Sequence, residues 1–241
     1  MDITKSYILN FGDSQGEVLD YVFYGYPSYT TFETNNNVGW KSGWSTRSLL
    51  DHEVSENIVD TVKCYSNFRR TVLVFLTFGC TDIEWNLGYK RLLDPNIDAE
   101  KLVANMIESI INLVTKLQRI PSVVVIPAFV YFPLPLKTDY LVRYNKKHNL
   151  SPYYDVPALD ERIKLWKLYK QEIKKYYDCL DVEEKMLDKG IEYFVRDTED
   201  HHPDFIKTQY VVSKELEKFN IHVTPKLTKL YEHKRRLRKE V

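Results

Sequence analysis

Thr71-Val72-Leu73-Val74-Phe75-Leu76-Thr77-Phe78 is apolar without alternation and stops at Gly79. A half-buried strand alternates apolar and polar residues. A strand covered on both faces does not, so this run reads as an interior strand of a parallel sheet. A second such run, Ser6-Tyr7-Ile8-Leu9-Asn10-Phe11, ends at Gly12-Asp13-Ser14, and a third covers Ser122 to Ala128. Between the runs lie helical periodicities. Asp51 to Phe68 places Val54, Ile58, Val59 and Val62 near 3.6 spacing. Residues 98–118 place Val103, Met106, Ile107, Ile110, Val114 and Leu117 on one stripe, with Asp98 as N-cap and Pro121 just past the end.

Farther on, residues 129–157 are rich in proline and aromatics and read as a long insertion too irregular for a core element. Its Phe129, Tyr131, Phe132, Tyr140, Tyr144, Tyr153 and Tyr154 suit either a ligand wall or a satellite cluster. A helix is expected over 158–178, a short strand over Ile191 to Val195, and a last helix over Pro203 to Phe219. Residues 20–37 read as extended or looped. The alternation of buried strands and helices predicts an α/β fold: a three-layer α/β/α sandwich with a central parallel sheet, flavodoxin-like in class. Residues 1–220 would form the domain and 221–241 a basic tail.

Composition bounds the rest. The 241 residues are 44% apolar and 28% charged, which suits a globular chain and excludes disorder or a coiled-coil rod. Lys+Arg and Asp+Glu are both 34. The balance is uneven, because residues 221–241 hold seven basic and two acidic residues. A global nucleic-acid footprint is therefore not expected, and any such contact would fall to Lys234, Arg235, Arg236, Arg238 and Lys239. Cys64, Cys80 and Cys179 have no metal-ligand spacing and read as free thiols. With no signal-like N-terminus and no apolar run near ~20 residues, no membrane span is expected, and the location is cytoplasmic by default or unknown. No cofactor is expected.

In parallel sheets, ligands bind beyond the carboxyl ends of the strands. Those ends hold Gly12-Asp13-Ser14 and Gly79-Cys80-Thr81-Asp82, and a late loop holds Glu199-Asp200-His201-His202-Pro203. A serine nucleophile needs a base, and the base needs an orienting carboxylate. Ser14, His202 and Glu199 supply these types. The same loop also suits a divalent ion: His201, His202, Glu199, Asp200 and Asp204, with Asp13 and Asp82 nearby, would make a metallophosphoesterase, a reading that a chelator separates from a serine esterase. Cys80 reads as a small filler, and Lys41 and Arg47 as a solvated helix start.

Four blocks in order carry a resemblance. Residues 8–16 (ILNFGDSQG), 37–50 (NVGWKSGWSTRSLL), 73–82 (LVFLTFGCTD) and 199–203 (EDHHP) resemble the successive blocks of the SGNH (GDSL-type) hydrolase family. The resemblance spans about residues 6–219. It implies ester hydrolysis through an acyl-enzyme, with acyl or acetyl esters of carbohydrates among the substrate classes. Ser14 would be the nucleophile and His202 the base, with Glu199 or Asp200 orienting the imidazole. The backbone N–H groups of Ser14 and Gly43 would bind the oxyanion. Thr81 stands where the family has an oxyanion-donating Asn, and Glu199 where it has Asp. Asp82 would anchor loops. Asp13, Trp40, Trp44 and Tyr131 are candidate substrate contacts. A catalytically weak or inactive glycan-binding relative is the alternative function.

Overall fold

The computed structural model describes residues 3–26, 29, 39–66, 70–147, 149–151, 154–195 and 201–225. Four parallel strands form the sheet in the order β1-β2-β3-β4: Ser6–Gly12, Thr71–Thr77, Val123–Phe129 and Leu180–Asp181. The register runs from Ser6 beside Thr71 to Gly12 beside Thr77, then from Val72 beside Val123 to Leu76 beside Pro127. Ala128 and Phe129 pair with Leu180 and Asp181. The unbroken apolar runs are buried as expected: Ile8, Leu9, Phe11, Val72, Leu73, Val74 and Phe75 are inaccessible to solvent.

The helices are α1 Val18–Val22, α2 His52–Ser66, α3 Leu87–Leu93, α4 Ala99–Gln118, α5 Thr138–Lys147, α6 Leu159–Lys174, α7 Glu183–Lys189 and α8 Phe205–Leu216. Three crossovers, through α2, α4 and α6, step across the sheet in one direction. Right-handed crossovers then put these helices on one face, where α4 packs against both α2 and α6. Helix α1 packs on α8. The result is a three-layer α/β fold. The stripe on α4 turns inward as its spacing requires, with Val103, Met106, Ile110, Leu113, Val114 and Leu117 buried, and Asp98 caps the helix by accepting the Lys101 N–H at 3.0 Å. None of the described helices is long and apolar enough to cross a membrane.

Three local expectations need correction. Ile191–Phe194 is a 3₁₀ turn, not a strand; Val195 makes a single antiparallel bridge to Pro203, and the fourth strand is the two-residue Leu180–Asp181. The segment after β3 is not a satellite loop, because Val130, Tyr131, Phe132 and Leu134 join the buried interior and α5 follows them. Residues 18–22, partly read as extended, are helix α1. Gly12 serves a close approach rather than a turn: a Cβ there would sit 2.1 Å from Thr77 Oγ1 and 2.3 Å from the Thr77 carbonyl oxygen. Only glycine lets β1 and β2 come together at the end that carries Ser14.

Candidate active site

Strand β1 delivers Ser14 to the first position of a 3₁₀ turn, Ser14–Glu17. Asp13 caps that turn, accepting the Gln15 N–H at Oδ1 (3.0 Å). Its Oδ2 accepts the Cys80 and Thr81 N–H groups, at 3.0 and 3.3 Å, and its own N–H donates to the Thr77 carbonyl. One carboxylate thus ties the end of β1 to the end of β2. Asp13 is 1% exposed, so its place is beneath the site and not on a substrate, contrary to the expectation above. Burial outweighs the three amides and, with Asp82 nearby, pushes its pKa up to about 7.

The second tie is Asp82. Its Oδ2 accepts the Thr46 N–H at 2.8 Å and its Oδ1 accepts from Asn86 at 3.3 Å, anchoring the loop of Gly43 to the turn after β2. Burial pushes the Asp82 pKa up to about 6. The Gly43 loop is also held by the Lys41 N–H donating to the Gly12 carbonyl and by the pairing of Trp40 beside Gly12. Gly43 has φ +76°, and a Cβ there would meet open space. Conformation, not crowding, favours glycine at this position.

His202 comes from the far end of the chain. The Val195–Pro203 bridge and an Asp204 N–H donated to the Phe194 carbonyl (2.8 Å) close the base of its loop. Asp204 caps α8 through the Ile206 and Lys207 N–H groups. These supports bring His202 Nε2 to 2.7 Å from Ser14 Oγ across 188 positions of sequence. Ser14 is 7% exposed. Glu199 and Asp200, the expected orienting carboxylates, lie outside the described residues, as does the basic tail at Lys234, Arg235, Arg236, Arg238 and Lys239.

Thr81 is buried at the start of a π-helical turn, Asp82–Asn86. Its N–H is spent on Asp13. Trp44 is half-buried, against Phe78 at 5.4 Å and with Lys41 Nζ 4.9 Å above its ring. Two other expected substrate contacts are interior residues. The Trp40 indole N–H donates to Asp20 at 2.8 Å, and Tyr29 donates to the same carboxylate at 2.6 Å. Tyr131 is 2% exposed and donates to Glu84. Neither presents its polar tip to a ligand.

Glu84 centres a buried network that motif reading missed. It accepts from Arg162 Nη1 at 2.6 Å, from Tyr131 and from the Cys80 thiol at 3.4 Å, and Gln15 Nε2 donates to Cys80 Sγ at 3.4 Å. Burial and the Glu84 charge hold the Cys80 pKa well above the usual thiol range. Buried and hydrogen-bonded in this way, Cys80 fills the interior as the sequence suggested. Charged residues placed at helical positions read as surface, which is why Glu84 and Arg162 gave no sequence signal. Trp85 was also missed. It stacks on Tyr144 (centroids 4.2 Å apart) and meets His201 edge to face at 5.1 Å.

The metal reading finds little here. Asp13, Asp82 and Asp204 place their carboxylates on backbone or amide N–H groups, and no group of three metal-ligating side chains occurs among the described residues.

No protein-family model matches the chain, and no curated protein does. Solved structures do. Protein YxiM from Bacillus subtilis matches with a TM-score of 0.51 at 14% identity over 90% of this chain, which spans 57% of that chain's length. The acetyl xylan esterase AlAXEase matches at TM-score 0.46 and 14% identity, over 90% of this chain and all of that one. LAE5, an alpha/beta hydrolase from the metagenome of Lake Arreo, Spain, matches at 0.46 and 13% identity, over 88% and 94%. At these identities the likeness is one of fold.

Proposed function

We propose that the protein is a serine esterase of SGNH type that cleaves an acyl or acetyl ester, with a carbohydrate as carrier. The observation that carries this reading is the 2.7 Å approach of Ser14 Oγ and His202 Nε2 at the carboxyl ends of the strands. In the proposed reaction His202 takes the Ser14 proton as Oγ attacks the ester carbonyl. The tetrahedral oxyanion is met by the Ser14 and Gly43 N–H groups, with the Thr81 hydroxyl as third donor. The alcohol leaves with the proton from His202, and a water activated by the same imidazole releases the acid. Glu199 or Asp200 would orient His202, an assignment that rests on the sequence alone. Trp44, partly exposed beside the Gly43 loop, is the aromatic candidate for contact with a sugar or acyl chain.

The alternative, a weakly active glycan-binding protein, is favoured by Thr81. A threonine hydroxyl is shorter than an asparagine amide, and losing one oxyanion donor costs about 10²–10³ in rate.

An organophosphonate reactive toward serine is expected to label Ser14. Ser14→Ala should abolish the label and lower hydrolysis of a short-chain nitrophenyl ester by roughly 10⁴–10⁶. A wild-type protein that takes no label, yet binds oligosaccharides as Ser14→Ala does, would give the function to the binding reading.

A further inference from the structure

Helix α5 lies in the segment between β3 and α6, yet it reaches the loop of His202. Tyr140 Oη is 2.7 Å from His201 Nδ1. The His201 ring lies against the His202 ring, centroids 4.0 Å apart, and edge to face with Trp85 at 5.1 Å. Trp85 in turn stacks on Tyr144 of α5 at 4.2 Å and 23°. The helix does not rest on rings alone. Asn145 donates to the Tyr154 carbonyl at 2.7 Å, and the Tyr154 hydroxyl donates to the Trp85 carbonyl at 2.8 Å. Two segments distant in sequence, α5 and the π-helical turn after β2, thus converge on His201 of the loop before α8.

A catalytic imidazole must be held within about 0.5 Å and 10–20° of its working geometry. The His202 ring touches Phe205 on one side (5.7 Å) and His201 on another. The His201 ring thus lies between His202 and the Tyr140 hydroxyl that bonds it. We infer that Tyr140 is a positioning residue that acts through His201 to hold His202 on Ser14, making α5 a strap over the site. This deepens the esterase reading and rests on it.

The test uses Tyr140→Phe, which keeps the ring and removes the hydroxyl, and His201→Phe, which keeps a ring against His202 and removes the partner of that hydroxyl. Tyr140→Phe should lower kcat roughly 10- to 100-fold with KM unchanged, the scale expected for a sub-ångström to ångström misplacement. His201→Phe should show a similar loss, and the double variant should lose no more than either single one. The ¹⁵N imidazole resonances of His202 should shift in Tyr140→Phe. Unchanged kcat and unchanged His202 resonances in Tyr140→Phe overturn the inference. So does a loss in the double variant equal to the product of the two single losses, which would mark two independent effects. If the wild type neither labels nor hydrolyses esters, the esterase reading fails separately, and the His202 resonances alone decide whether Tyr140 positions that ring.

Discussion

Asp13 shows how one side chain sets the frame for its neighbour. Its oxygens take N–H groups from both sides of the β1–β2 junction, so the turn of Ser14 and the turn of Thr81 move together. Its pKa of about 7 has a definite consequence. Unfolded, the carboxyl titrates near 3.9. Below that pH both states are protonated and ionisation costs the fold nothing. Between about 4 and 7 the folded state binds more protons than the unfolded one, so stability falls as pH rises. Asp13→Asn removes this slope but also one acceptor, at a cost of about 1–3 kcal/mol. Thermal melts should find the variant less stable than wild type at pH 5, with the gap narrowing by pH 7.5. A gap independent of pH would show that Asp13 does not titrate in this window. The raised Asp82 acts in the same direction in both proteins.

At the scale of elements, the long periodic segments matched their expected positions, because a 20-residue amphipathic helix such as α4 has one way to bury its stripe. Short elements followed the tertiary context. Leu180–Asp181 is a strand only because β3 lies beside it, and Ile191–Val195 has strand-like residues but, among the described residues, pairs only with Pro203. Helix α8 links structure to chemistry. Its cap, Asp204, sits two residues after His202 and accepts from Ile206 and Lys207. Asp204→Ala should cost about 1 kcal/mol in a denaturant titration, the usual worth of an N-cap. It should also lower the rate of Ser14 labelling, since the cap fixes where the His202 loop ends. An unchanged labelling rate would separate the cap from the site.

For the molecule as a whole, Arg162 is the main polar joint. From α6 it donates to Glu84, to the Leu134 carbonyl at 3.0 Å and to the Pro157 carbonyl at 2.9 Å, so it joins the turn after β2 to both ends of the segment carrying α5. Arg162 and Glu84 side chains are 3% and 0% exposed. Arg162→Met leaves a buried carboxylate without its partner and should cost about 3–5 kcal/mol by urea denaturation. Adding Glu84→Met should recover much of that loss; no recovery would place the effect in the lost carbonyl contacts instead. The sequence by itself determined the layered α/β class, the three long strands and the candidates Ser14 and His202, because burial on both strand faces and motif order are local patterns. Only the tertiary structure decided that these two meet, that Trp40 and Tyr131 turn inward, and that Trp85, Tyr140 and His201 assemble beside them. Contacts between residues 20 to 188 positions apart depend on how the sheet brings its strand ends together, and no local periodicity records that.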